Sequence, residues 1–301
     1  MTLLQLRYAI TVADSRSMNQ AAQKLFISQP SLSAAIRELE DEVGIEIFRR
    51  TNRGIQVTPD GEEFIGYARQ VVEQYALIEA RYVDKEKVKK KFGVSMQHYS
   101  FAVQAFVEMV RRFGMDRYEF SIYETQTYDV IENVKNFRSE LGILYLNDFN
   151  RKVLEKIFEE NNLEFQELFD CQEYVYLWKG HPLAKKEVIS LEDLEDYPFL
   201  SFDQGSNNSF YFAEEVFSTY EYKQSIKAND RATMLNLMRG LNGYTLCSGI
   251  ICEELNGEEY CAVKLSTEET MTIGYLKRKG IPLSSIAKEY LKEIRTYNDQ
   301  A

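Results

Sequence analysis

Ser28-Gln29-Pro30-Ser31-Leu32-Ser33-Ala34-Ala35-Ile36-Arg37-Glu38-Leu39 is the stretch on which the reading of this chain turns. Taken as a helix, it sets Leu32, Ala35, Ile36, Leu39 and Val43 at offsets of three, four, seven and eleven, one buried face. Ser28 caps the start, and Pro30 falls in the first turn, where its missing N–H leaves nothing unsatisfied. The other face carries Gln29, Ser31, Ser33 and Arg37. Hydroxyls, an amide and a guanidinium are the groups that bond base edges and phosphates in a DNA major groove.

The flanking residues complete a frame around that helix. Leu3, Leu6, Ile10 and Ala13 recur at helical spacing. Ser17-Met18-Asn19-Gln20 fits a capping box that opens a short helix through Ala21, Ala22 and Leu25. Two helices, a tight turn and a polar-faced second helix make a helix-turn-helix. Gly44 ends the third helix, and Ile45–Arg50 with Ile55–Val57 read as two strands around Thr51-Asn52-Arg53-Gly54. This wing concentrates Arg49, Arg50 and Arg53 where they reach phosphates or a minor groove. Thr58-Pro59 then starts a long helix on which Phe64, Ala68, Val71, Tyr75, Ile78 and Tyr82 alternate at spacings of four and three. Such a 3.5-residue seam pairs with a second helix. The polar run Asp84–Lys91 reads as a hinge.

The chain has 301 residues, enough for more than one domain, and a net charge of −11 that by itself speaks against nucleic acid. The charge is unevenly spread. Residues 1–58 hold seven basic and six acidic side chains, and residues 92–301 hold 22 and 34. The acidity thus lies away from the expected DNA contact, and the weakly basic N-terminal unit is expected to bind as a pair. The first residues lack a charged n-region followed by an apolar run, and no apolar run reaches a membrane-spanning length. The expectation is a cytoplasmic protein with no membrane partner. Cys171, Cys247, Cys252 and Cys261 form no Cys-x-x-Cys pair and read as reduced thiols. His98 and His181 are too few and too far apart for a metal site, and His181, before Pro182, reads as a turn residue. No cofactor is expected.

From Phe92 onward, strands alternate with helices. Phe92–Met96, Glu119–Tyr123 and Leu141–Leu146 read as strands, with helices over 99–113, 128–138 and 151–161. A second set has strands at Tyr174–Trp178, Phe199–Phe202, Gln224–Lys227 and Tyr244–Ser248, and helices near 208–219 and 230–240. Thr270–Leu276 adds a strand and 283–297 a last helix. Helical crossovers predict an α/β unit with mainly parallel sheets. Two such units leave a cleft between them, a usual ligand site.

These motifs together resemble the LysR-type transcriptional regulators over essentially the whole chain. The resemblance rests on Ala21-Ala22, Leu25, Ser28 to Ser33, Ile36 to Glu40, Gly44, Phe48-Arg49-Arg50 and Thr58-Pro59-Asp60-Gly61. His181-Pro182-Leu183-Ala184, Leu191 to Leu194 and Tyr197-Pro198-Phe199 add to it. It implies a winged helix-turn-helix over 1–58, a dimerising linker helix and hinge over 59–91, and a two-subdomain effector domain over 92–301 like a periplasmic binding protein. Subdomain I would span about 92–162 and 267–301, and subdomain II about 163–266. By the same resemblance Gln29, Pro30, Ser31, Ser33 and Arg37 face the major groove of double-stranded DNA, Arg53 makes the wing contact, and the chain assembles as a homodimer or homotetramer. Ala34 stands where many relatives carry a basic residue.

The family's effector lies in the cleft, held by the loops after the first two strands and by the second subdomain. Here those loops supply Gln97, His98, Ser100, Thr125, Gln126 and Thr127, and across the cleft Phe202, Gly205, Ser206 and Asn207. Hydroxyls, amides and helix N-termini near 98–100 and 206–208 suit a small polar or anionic metabolite, an amino-acid-like acid. An enzyme needs a nucleophile with a base, a metal cluster or a phosphate loop. Ser248-Gly249 lacks the Gly-x-Ser-x-Gly frame and no Gly-x-Gly-x-x-Gly occurs, so no enzyme is expected. The alternative is a cytoplasmic small-molecule-binding protein without sequence-specific DNA binding.

Overall fold

Thr2 and Gln5 open the first helix by satisfying each other's backbone amides, Gln5 N donating to Thr2 Oγ1 at 3.2 Å and Thr2 N to Gln5 Oε1 at 2.8 Å. The computed structural model describes residues 1–51, 54–82, 89–113 and 117–298, in two units, Met1–Lys89 and Lys90–Ala301. In the first unit α1 (Leu3–Ser15) is followed by α2 (Met18–Lys24) and α3 (Gln29–Val43). Ser17 caps α2 through the Gln20 amide at 3.5 Å, while the two-way box expected there stands at Thr2–Gln5. Gly44 closes α3 at φ +74°, a left-handed turn that glycine adopts without a Cβ clash.

Leu32, Ile36 and Leu39 are at most 2% exposed and pack with Ala9, Val12, Ala21 and Ala22. Each such side chain contributes about 1.5–3 kcal/mol on burial. The wing pairs β1 (Phe48–Thr51) antiparallel with β2 (Gly54–Val57), Phe48 opposite Val57. The first strand starts at Phe48 rather than Ile45, because Glu40 on α3 takes the amides of Ile47 and Phe48 on one carboxylate oxygen at 2.8 and 2.9 Å. The Thr58 hydroxyl donates to Glu46 O and accepts from Gly61 N at 2.9 Å, capping α4 (Pro59–Tyr82). Arg53 at the wing tip and most of the expected hinge (84–88) lie outside the described residues.

The second unit contains β3 (Lys90–Met96), α5 (Ser100–Phe113), β4 (Tyr118–Glu124), α6 (Thr127–Lys135), β5 (Leu141–Leu146), α7 (Arg151–Glu160) and β6 (Leu163–Gln172). There follow β7 (Tyr174–Trp178), β8 (Val188–Ile189), β9 (Phe199–Phe202), β10 (Ser225–Ala228), α8 (Arg231–Leu241), β11 (Thr245–Cys247), α9 (Glu253–Asn256), β12 (Tyr260–Leu265), β13 (Thr270–Arg278) and α10 (Ser285–Arg295). One sheet runs β4-β3-β5-β13-β6, and another runs β11-β7-β12-β8, joined to the parallel pair β9 and β10 by a bridge from Phe199 to Tyr244. The chain crosses between these layers twice, at Glu173 and after Leu265.

Three expectations are corrected here. The sheets are mixed rather than mainly parallel, since β13 runs antiparallel to both β5 and β6, and β7 antiparallel to β11 and β12. The stretch 163–172 forms β6 on the first sheet, not part of the second subdomain, because its nine-residue ladder with β13 holds it there. No long helix covers 208–219, only a short 3-10 turn at Phe210–Phe212, since the side chains of Glu214 and Glu215 turn inward to bond loop amides and Phe217 takes φ +55°.

Because Glu40 alone satisfies two part-buried wing amides, Glu40→Ala should cost about 2–3 kcal/mol and Glu40→Gln, which keeps an acceptor oxygen, much less. Amide hydrogen exchange at Ile47 and Phe48 checks this: faster exchange in the alanine variant is expected, and unchanged exchange removes Glu40 as the wing's anchor.

Candidate functional site

Two surfaces carry the expected chemistry. On α3, Pro30, Ser31, Ala34 and Arg37 are exposed, and Gln29 and Ser33 are half-buried. Gln29 Nε2 donates to Ser33 Oγ at 2.7 Å, and the Ser28 and Ser31 hydroxyls bond each other at 2.7 Å, so the polar row is pre-arranged along one side. On the wing, the Arg49 guanidinium bonds the exposed Glu46 carboxylate at 2.9 and 3.3 Å. The side chain of Arg50, like Arg53, is outside the described residues.

The seam on α4 divides. Ala68 is 2% exposed and Phe64 packs on the unit's own core, whereas Val71, Tyr75 and Ile78 are 49%, 40% and 57% exposed. Arg7 sits over the Tyr75 ring at 5.9 Å, and the Tyr82 side chain is not among those described.

In the second unit, a cleft opens between the α5 N-terminus and the layer carrying α8 and β11. Of the residues named from sequence, His98, Ser100 and Phe202 line it. The others knit its edge. Gln97 is 1% exposed, donates to Thr127 Oγ1 at 2.6 Å and accepts from the Tyr99 hydroxyl and the Tyr145 amide. Thr127 N donates to Gln204 Oε1 at 3.0 Å, and its hydroxyl donates to Phe212 O at 2.7 Å. Thr125 bonds Asp129 at 3.2 Å, and Gln126 starts α6. Gly205 takes φ +56° with Gln126 against it, where a Cβ would meet Gln126 Nε2 at 2.9 Å. Ser206 is exposed and Asn207 half-buried on a loop, without the helix start expected at 206–208.

The residues that sequence reasoning missed are the acids Glu214 and Glu215 and their partners Gln204 and Arg231. Glu214 Oε2 accepts from the His98 amide at 2.8 Å and from His98 Nδ1 at 2.9 Å, while Gln204 Nε2 donates to Glu214 Oε1 at 2.9 Å. The His98 ring stacks on Phe202 at 3.7 Å, 3° from parallel. Glu215 accepts from the Phe202 amide at 2.8 Å. Burial, and then Glu214 beside it, hold the Glu215 carboxyl well above the usual range. Arg231 on α8 pairs with Glu124 across the cleft and with Asn256 at 3.3 Å. The adjacent acids Glu214-Glu215 gave no signal, because they lie in a stretch read as helix.

Behind the cleft, Glu173 at the first crossover is fully buried, and neither carboxylate oxygen has a hydrogen-bond partner. Burial, with Glu269 adding repulsion, raises its carboxyl well above the usual range. Burial likewise pushes the Cys171 and Cys247 thiols up to about 12, with Glu173 adding to both. His181 is a buried turn residue whose Nε2 donates to Asn242 O and whose Nδ1 accepts from Leu183 N. Among the described residues no three His, Cys, Asp or Glu side chains come together to hold a metal ion, and no helix is long and apolar enough to cross a membrane.

Residues 3–62 match the family described as bacterial regulatory helix-turn-helix protein, lysR family, and residues 98–299 match the LysR substrate binding domain. Among full-length relatives, the chain is 23% identical over 308 residues to the DNA-binding transcriptional dual regulator OxyR of Escherichia coli strain K12, covering 99% of this chain and 96% of that one. It is 28% identical over 255 residues to HcaR, the Hca operon transcriptional activator of the same strain, covering 83% and 82%. A full-length OxyR variant from Pseudomonas aeruginosa shares the fold at a TM-score of 0.69 and 21% identity, covering 98% of this chain and 95% of that one.

Glu173 binds more protons folded than unfolded above a pH of about 4.3, so its share of stability falls as pH rises from there. Glu173→Gln is therefore expected to raise the melting temperature of the second unit at pH 8 and not at pH 4, and a gap that does not change with pH contradicts the buried-acid assignment.

Proposed function

Because the chain belongs to the LysR family of bacterial regulators, a DNA-binding transcriptional regulator with an effector domain, we propose that the exposed polar row of α3 is its operator-reading surface. The observation that carries this is the division of α3 itself: Leu32, Ile36 and Leu39 are consumed by the core while Ser31 and Arg37 face solvent. Gln29, Ser31, Ser33 and Arg37 then meet base edges and phosphates from within a major groove, with Pro30 setting the start of the helix. Arg49, Arg50 and Arg53 place the wing on the backbone.

Two copies bind together. Val71, Tyr75 and Ile78 lie at seam spacing and exposed on α4, and a second copy of the same helix would cover them. A small polar metabolite held in the cleft of the second unit adjusts how the pair engages DNA. Such a role sets the protein beside the chromosome, in the cytoplasm. Some relatives are named activators of hydrogen peroxide-inducible genes; at Cys171 and Cys247 of this chain burial opposes the thiolate with which peroxide reacts.

Selection from randomised duplexes by the purified chain tests this reading. Arg37→Ala should weaken the selected operator by about five- to 150-fold, at about 1–3 kcal/mol for a lost bidentate contact, and Ser33→Ala should relax sequence preference. Equal loss on operator and random DNA would contradict the Ser33 role. Val71→Glu should halve the sedimenting mass by setting like charges in the paired seam, and an intact oligomer removes the seam.

A further inference from the structure

The cleft's groups are unevenly spent. Its charged donor and the amide and ring donors at its rim are already engaged by the chain's own acceptors. The His98 amide at the start of the 14-residue helix α5, the His98 ring and Gln204 all serve Glu214, and the Arg231 guanidinium serves Glu124 and Asn256. The position at which a ligand carboxylate would meet a helix N-terminus is therefore filled by an internal carboxylate. The charged group left facing the cavity is an acid, among neutral hydroxyls such as those of Ser100 and Ser248. Glu215 lines it, with one oxygen on the Phe202 amide. Thr245 lines it too, only 5% exposed, with a buried hydroxyl that has no partner. The rest of the wall is apolar, with Met234, Met238, Leu246 and Ile250.

We propose that the effector held in this cleft is an amine, its protonated nitrogen lying against Glu215 and the Thr245 hydroxyl and its apolar body against Met234, Met238 and Ile250. The proposal rests on the cleft being the effector site and names the class of molecule it takes. A cation there offsets the repulsion between two adjacent buried carboxylates, which no anion can do. It also gives Thr245 an N–H to accept. Bound cation stabilises the ionised form of Glu215, so binding releases a proton when that carboxyl starts protonated.

Calorimetric titration and thermal shift of the full chain with two matched probes test this. 2-Phenylethylamine and 3-phenylpropanoate share one apolar skeleton and differ in the charged end. The amine should bind and raise the melting temperature, with a heat that varies with the ionisation enthalpy of the buffer, and the acid should not bind. Glu215→Gln should weaken the amine at least tenfold. Glu214→Ala frees the His98 amide and Gln204, and should turn the chain toward the acid. Binding of the acid to the unaltered chain without the amine overturns the amine assignment and leaves the cleft as effector site. Amine binding that survives both Glu215→Gln and the cavity-filling Met238→Trp places the ligand elsewhere and overturns the cleft reading itself. No response to either probe overturns the proposal. The buffer dependence is read on the unaltered chain, so a variant that fails to fold does not decide the outcome.

Discussion

Burial of one face of α3 is the constraint from which the first unit follows. Leu32, Ile36 and Leu39 are removed from water almost completely, and a helix so pinned has no freedom to rotate. Its remaining residues are then set outward by the 3.6-residue period alone. The same helix holds the wing, since Glu40 on its inner edge takes two strand amides. The wing in turn starts α4, because the Thr58 hydroxyl that caps that helix is bonded back to Glu46. A polar row, a basic hairpin and an exposed apolar seam thus share one anchor.

In the second unit the corresponding element is electrostatic. The Glu214 carboxylate joins the α5 N-terminus to the opposite wall through three hydrogen bonds from His98 and Gln204. Thr127 to Gln204 and Phe212, Tyr145 to Ala213, and Arg231 to Glu124 cross the same gap. Hydrogen bonds to charged groups contribute about 1.5–3 kcal/mol each. A ligand that changes the cleft's opening must offset that network with interactions it makes in one state and not the other. The crossover strands carry the consequence, and the partnerless Glu173 lies at one of them.

The legible part of this molecule was the part governed by periodicity and local caps. Ser28, Gly44, Thr58 and Pro59 mark helix ends by their own chemistry, and all three helices of the helix-turn-helix lie within a residue or two of the expected bounds. The alternating strands β3, β5, β7 and β9 were equally plain. Illegible were features set by distant partners. β6 carries Glu164, Gln166, Glu167 and Asp170 among its apolar residues, and only its ladder with β13 makes it a strand. Residues 208–219 have a helix-like mixture of aromatics and acids, but Glu214 and Glu215 are drawn inward by amides at His98 and Phe202, more than a hundred and about a dozen positions away. Three of the residues named from the cleft loops, His98, Ser100 and Phe202, line the cavity, and which of their atoms stay free depends on those two acids.

Hydroxyl-radical footprinting of the full chain on a selected operator tests the central claim most directly. Two protected backbone segments about one helical turn, or a whole number of turns, apart are predicted, both lost when Ser31, Ser33 and Arg37 are replaced by alanine. Protection that persists unchanged in that triple variant, or the absence of any protected segment, would contradict the assignment of α3 as the reading helix.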